Sequence, residues 1–207
     1  MEKERERQAR ADPPGTDAVR REPLVLASAS PRRSEILRAV GWPFRALAMN
    51  VDETLRPAED AAAAVERLAL EKATAAAAGL TAGLVLGADT SVVVDTEILG
   101  KPRDRADARR MLRLLSGRWH DVLTGVALVR AGEPAARITA HEKTEVRFAD
   151  ISDAELDWYV TSDEPLDKAG AYAVQGKAAL FIEEIRGDYW NVVGLPVRLV
   201  YELAARI

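Results

Sequence analysis

The chain has 207 residues, 48% of them hydrophobic, enough for a sizeable core and too many for a disordered, collagen-like or coiled-coil protein. Its 29 Lys and Arg against 33 Asp and Glu leave a formal charge of −4, without the basic surplus that a general nucleic-acid binder needs. Cysteine is absent and histidine occurs only twice, which removes disulfides, thiolate nucleophiles, thiolate zinc sites and poly-histidine metal centres.

Residues 1–22 mix acids and bases around Pro13-Pro14-Gly15 and lack the apolar core of a secretory signal. They read as a mobile N-terminal extension, and 23–207 as one continuous domain. No stretch approaches the ~20 apolar residues of a membrane helix, so a cytoplasmic protein with no membrane partner is expected.

Pro23 to Ala27 is a short apolar run, read as a buried strand. It leads into Ser28-Ala29-Ser30-Pro31, where Ser30 suits a helix N-cap and Pro31 the first helical position, with the helix stopping near Gly41. Arg32 and Arg33 therefore fall in the first turn, where the helix dipole is already positive. Either they are solvated surface arginines, or an anion completes the site.

Pro57 to Gly79 reads as a long helix with an apolar stripe of Val65, Leu68, Ala69, Ala73 and Ala76. Lys72 lies on the same stripe, so it either snorkels to water or aims a cation into a cleft. Leu84 to Ala88 is predicted to be a strand ending at Asp89-Thr90, followed by a hairpin of Ser91–Val94 and Glu97–Leu99 closed by Gly100-Lys101-Pro102. Residues just past a strand's carboxyl end line ligand crevices in α/β sheets. Asp89 fits that position, with a capping aspartate as the alternative.

Asp104 caps a predicted helix that stops at Ser116-Gly117. Strands follow over Val122–Val129 and around the alternating Thr144, Val146 and Phe148, separated by a turn over Ala131–Pro134. Ser152 and Glu155 form a capping-box pattern. Asp163 to Gly176 is charged, small and irregular, the kind of loop that carries binding residues. Ala179 to Ile185 reads as a strand, and Pro196 starts a last helix over Val197–Ala205. The sum is an α/β or α+β fold with a mixed sheet.

The polar residues that packing does not demand are Ser28, Ser30, Arg32, Arg33, Glu53, Lys72, Asp89, Thr90, Lys101, Asp167, Lys168 and Gln175. Cations that neutralise phosphoryl oxygens, with carboxylates that hold a hard divalent ion and activate water, suit hydrolysis of a polyphosphate. Neither a Walker A motif nor GxGxxG is present. His120 and His141 fall in strand-like segments with no GxSxG elbow, so a serine triad is not expected. Residue chemistry alone stops at a phosphate-handling enzyme.

LASASPRRSEIL, VDET, LEKA, VLGADT, ILGKPRD, MLRLLSG, DEPLDKAGAYAVQG and VVGLP occur in this order between Leu24 and Leu203. In these stretches the chain resembles the Maf family of nucleoside triphosphate pyrophosphatases. The long N-terminal extension departs from that family's usual start. The resemblance implies a fold like that of Maf and inosine-triphosphate pyrophosphatases, an elongated mixed sheet flanked by helices, with two lobes around a deep cleft. It also implies divalent-metal-dependent hydrolysis (Mg²⁺ or Mn²⁺) of a nucleoside triphosphate to monophosphate and pyrophosphate.

Residue by residue, the resemblance makes Asp89 the general base and Glu53 an acidic site residue, these two being the expected metal ligands. Lys72 and Lys101 become cleft lysines, and Arg32 and Arg33 a phosphate-gripping pair. Ser28 and Lys168 join the expected substrate-binding set. Arg32, Thr90 and Gln175 match the branch resembling dTTP and UTP enzymes rather than the one resembling 7-methyl-GTP enzymes. A neutral carboxamide at Gln175 can donate to O4 and accept from N3–H of a thymine or uracil edge. Partners implied are the nucleotide substrate and, by resemblance only, a second copy in a homodimer. The alternatives are a regulatory nucleotide-binding inhibitor of septum formation, or the same chemistry on CTP or a modified nucleotide.

Overall fold

The apolar run after Pro23 forms β1 (Leu24–Leu26), buried throughout at the heart of a mixed sheet. This computed structural model describes residues 24–133, 135–162 and 164–207, so the sequence readings for residues 1–22, Pro23, Pro134 and Asp163 lie outside the described residues. β1 pairs in parallel with β2 (Phe44–Ala46) on one side and with β3 (Leu84–Val94) on the other. From β3 outward the sheet is antiparallel, through β5 (Trp119–Arg130), β6 (Arg137–Phe148) and β7 (Ile182–Arg186). The short β4 (Glu97–Leu99) folds back onto the end of β3 around Asp95 and Thr96. The described residues therefore form a mixed α/β protein with a seven-stranded sheet.

Each face of the sheet is covered because its strands are apolar on both sides. On one face, Ala69, Ala73 and Ala76 of α2 (Ala61–Ala77) pack on Val25, Val85, Ala127 and Val129. On the other, Leu24, Leu26, Leu84, Leu86 and Leu128 meet Ile36 and Leu37 of α1 (Pro31–Ala39) and Val200 and Leu203 of α6 (Val197–Ala204). A further cluster at the far end of β3 joins Val92, Val94 and Phe148 to α3 (Arg105–Leu115) and α4 (Asp153–Val160).

Two glycines set how close α2 comes. A Cβ at Gly87 would lie 2.1 Å from the Ala69 carbonyl oxygen, and one at Gly125 would lie 2.1 Å from that of Val65. The contacts are backbone on backbone, so any side chain here would push the helix off the sheet.

Several predicted boundaries move. The long helix starts at Ala61 rather than Pro57, because the Asp60 carboxylate accepts from the Ala63 N–H and the chain before it turns through Ala58 at φ +61°. β3 does not stop at Asp89 but continues to Val94, since β5 pairs with it residue for residue through Asp89↔Gly125 and Thr90↔Thr124. The strand expected from Ala179 begins only at Ile182, opposite Phe148. Before it, Lys177–Leu180 closes a 3₁₀ turn. β2 and the short α5 (Tyr189–Val193), capped by Asp188, were not predicted. The hairpin, the Asp104 cap and the Ser152–Glu155 capping box form as read. No described helix is long and apolar enough to cross a membrane.

Candidate active site

β3 has two partners along one edge, and they leave a gap. β1 covers Leu84–Leu86 and β4 covers Val92–Val94, so residues 87–91 lack a strand neighbour there while β5 pairs along the opposite edge. A cleft of about 670 Å³ opens at this gap. Ser28, Arg32, Arg33, Glu53, Lys72, Asp89, Thr90, Lys101, Lys168 and Gln175 all line it, as do Ser30 and Asp167. Asp89 thus sits inside a strand but beyond the end of its parallel neighbour, which is why it reaches the crevice.

Successive strand residues face opposite ways, so Asp89 and Thr90 serve different walls. On the α2 side, the Lys72 ammonium lies 2.6 Å from Asp89 Oδ1 and 2.6 Å from Glu53 Oε1. The Lys72 and Asp89 side chains are only 9% and 13% exposed, so the lysine aims into the cleft and does not snorkel. Burial raises the proton affinity of Glu53, but the Lys72 hydrogen bond and charge, with Lys101 and Arg33, outweigh it and hold the carboxyl below its ordinary range. The Glu53 loop is held by an Asp52 side chain that accepts the Thr54 N–H at 3.0 Å and by Arg67, which donates to the Thr54 carbonyl and pairs with Glu59 at 2.6 Å. Lys101, on the turn after β4, stands 4.0 Å from Glu53 Oε2.

On the other wall, the two adjacent arginines part company. Arg33 is buried: its Nε donates to the Gly194 carbonyl, its Nη1 to Ser28 Oγ and the Ala88 carbonyl, and its Nη2 to Thr90 Oγ1, at 2.9–3.1 Å. The guanidinium supplies, at Ala88, a donor that the missing strand neighbour would have given. Four of its five N–H groups are thereby committed to the protein, leaving one on Nη2 for a ligand. Burial lowers its affinity for the proton and Asp89 opposes that. Arg32 stays in the cleft, 3.4 Å from Asp167. Ser30 occupies the N-cap position of α1 without a side-chain cap bond; its N–H donates to Ser28 Oγ instead.

The irregular loop forms the remaining wall through short 3₁₀ turns at Glu164–Asp167 and Ala169–Ala171. Lys168 donates to the Glu164 carbonyl at 2.9 Å and pairs with Asp167. Gln175 is exposed, and a Cβ at the following Gly176 would lie 2.3 Å from the Glu164 carboxylate, displacing it from the Tyr159 Oη and Lys177 N–H donors that it accepts from.

The family described as Maf-like protein matches residues 23–207. The chain belongs to the Maf family. A dTTP/UTP pyrophosphatase of Symbiobacterium thermophilum is 56% identical over 180 residues, covering 87% of this chain and 91% of that one. Its namesake in Bacillus cytotoxicus is 49% identical over 181 residues, covering 87% and 93%. Among solved structures, a HAM1 protein from Coxiella burnetii matches with a TM-score of 0.44 at 21% identity, over 77% of this chain and 91% of that one.

At the cleft and in the layer behind it stand residues that the sequence did not single out. Thr124, a lone hydroxyl in the apolar stretch of β5, lies 2.9 Å from Thr90 Oγ1. Asn191, fully buried on α5, donates to the Val122 carbonyl at 2.9 Å and Thr144 Oγ1 at 3.0 Å. Tyr172 lines the cleft, with its hydroxyl 2.9 Å from His120 Nε2. A polar residue inside an otherwise apolar strand or helix was the available signal for Thr124 and Asn191. Among the described residues no three His, Asp or Glu side chains gather as a ready metal site. Asp89 and Glu53 nonetheless converge on one cation, the Lys72 ammonium. Two hard carboxylates fit a Mg²⁺-type ion, which takes one or two of them and fills its other positions with water and substrate phosphate oxygens.

Proposed function

We propose that this chain hydrolyses dTTP and UTP to the nucleoside monophosphate and pyrophosphate, with Asp89 as general base. What supports the reading is a single convergence: every residue assigned to the reaction from sequence lines the same cleft, with Asp89 and Glu53 each 2.6 Å from Lys72. The relatives named dTTP/UTP pyrophosphatase supply the substrate.

Asp89 offers the cleft its Oδ2, because Oδ1 is held by Lys72. In the reaction, a water oxygen attacks the α-phosphorus and its proton passes to the Asp89 carboxylate. The bond from the α-phosphorus to the oxygen bridging to the β-phosphate breaks, and pyrophosphate leaves with the electron pair. Arg32, Lys101 and Lys168 neutralise the triphosphate, and Lys72, donating to Asp89 Oδ1, orients that carboxylate. A divalent ion held by Asp89 and Glu53 would supply further neutralisation and alignment of the phosphate oxygens. Two lobes around a deep cleft, as the resemblance to the inosine-triphosphate pyrophosphatase type of fold implies, suit a substrate that must be screened from bulk water. The reading places the catalytic unit in 23–207, with 1–22 outside it, and sets the enzyme in the cytoplasm, where its nucleotides are.

A panel of nucleoside triphosphates with Mg²⁺ or Mn²⁺, assayed for both products, tests it. Pyrophosphate from dTTP and UTP is the expected result. Orthophosphate as the only product overturns the reaction class.

A further inference from the structure

Gln175 leaves a question of polarity open. A carboxamide carries a donor and an acceptor, and no described residue holds that of Gln175. By turning over, it serves uracil or thymine (O4 acceptor, N3–H donor) as well as cytosine (N4–H donor, N3 acceptor). Preference for uracil and thymine over cytosine needs a neighbouring group whose polarity cannot reverse.

Thr90 is such a group. Arg33 Nη2 donates to its Oγ1 at 3.1 Å, and a guanidinium has no acceptor to offer in return. On the same face of the sheet, the Thr124 hydroxyl lies 2.9 Å away and is fully buried. Thr124 is in turn 3.3 Å from the backbone carbonyl of Asn191, where it can only donate. That carbonyl also accepts the Gly194 N–H at 3.0 Å, and the Asn191 side-chain bonds hold the segment in place. With Thr124 spending its proton on the carbonyl, its oxygen accepts from Thr90. The protons then run one way, from Arg33 to Thr90 to Thr124 to the Asn191 carbonyl. Thr90 is left with one lone pair and no proton for the cleft.

We propose that Thr124 is a positioning residue that draws the Thr90 hydroxyl proton into the protein, so that Thr90 meets the nucleobase only as an acceptor and the cleft favours uracil and thymine over cytosine. The inference rests on the reading that this is a dTTP/UTP pyrophosphatase with Thr90 beside the base. An N3–H donates to the free lone pair, whereas the bare N3 of cytosine faces it with repulsion. Thr124 touches no substrate; it acts through Thr90.

The test is kcat/KM for UTP, dTTP and CTP, read as pyrophosphate release, in the parent, Thr124→Val, Thr124→Ser and Thr90→Val proteins. Calorimetric binding of UMP and CMP gives a readout apart from turnover. In Thr124→Val the Thr90 proton is freed to donate to the base, so the UTP-to-CTP ratio falls about tenfold, the worth of one hydrogen bond. The change comes through KM, with kcat for UTP nearly kept. Thr124→Ser restores the hydroxyl and the parent ratio, and Thr124→Ala reproduces the loss should the valine protein fail to fold. An unchanged or increased ratio in Thr124→Val, with a changed one in Thr90→Val, overturns the proton-direction proposal and leaves the nucleobase reading standing. A ratio unmoved by Thr90→Val removes Thr90 from the base and sinks both.

Discussion

The two faces of β3 at the cleft are built from opposite materials. Toward α2, Asp89, Lys72 and Glu53 form a chain of full charges, two carboxylates on one ammonium. Toward α1 and α5, Thr90, Thr124 and the carbonyls of Ala88, Asn191 and Gly194 form a network of neutral dipoles around one guanidinium. The first arrangement leaves charge and lone pairs pointing at the cleft, as proton abstraction beside a polyphosphate requires. The second spends nearly every donor inside the protein, which makes it rigid and gives its few outward groups a set polarity. One strand can carry both because its side chains alternate and because the edge between β1 and β4 is open.

The sharpest break in this comparison is at the charged face. Asp89→Asn keeps the shape but removes the proposed base, and kcat for UTP should fall roughly a thousandfold with KM little changed. Stopped assays with radiolabelled UTP check this; an enzyme retaining most of its turnover would move the base elsewhere.

The neighbouring arginines should then separate by kind of damage. Arg33→Met leaves the Ala88 and Gly194 carbonyls without their charged donor, and is expected to cost about 4 kcal/mol of stability in urea unfolding. Arg32→Met should leave the unfolding midpoint nearly in place and raise KM for the triphosphate. Equal stability losses in the two variants would contradict the division between clamp and cleft residue.

A smaller effect follows from His120, buried beside Phe148 and Tyr172. Burial drives its pKa down from 6.5 to about 4. Between those values the unfolded chain holds a proton that the folded one does not, so stability rises with pH across that window and falls as pH drops from 6.5 toward 4. The loss over the window is about 3 kcal/mol. Unfolding of His120→Gln across the same pH range should lack this share of the slope.

Least in size, Gln175→Glu replaces a reversible amide by an acceptor-only group at an exposed position. The UTP kcat/KM is expected to drop about tenfold if, as proposed, Gln175 donates to the nucleobase. Unaltered selectivity would detach Gln175 from the base.

Much of this was legible residue by residue. The Asp104 and Ser152 caps, the β3–β4 hairpin and the α2 stripe follow from local rules, whereas the Asp60 cap, which starts α2 four residues after Pro57, was not read. Lys72 on that stripe was visible as an oddity, and the motif order named the family. The break placed at Asp89-Thr90 was an error of the same local logic: two polar residues end an apolar run, yet a partner strand in register carries the chain straight through them. Which of Arg32 and Arg33 is buried could not be read from the sequence, since the first turn of α1 supplies both. Which of them turns toward Gly194 depends on a segment more than 160 residues away.

Apolar spacing, caps and turn residues act over a few positions, so the sequence by itself determined most helices and strands and the inventory of charged groups. Tertiary structure alone decided which donors were used up. The burial of Arg33, the contact of Thr124 with Thr90 and the meeting of Glu53 with Asp89 on one lysine arise where distant segments exclude water together, and hydrogen bonds there must be satisfied by whatever the fold brings near.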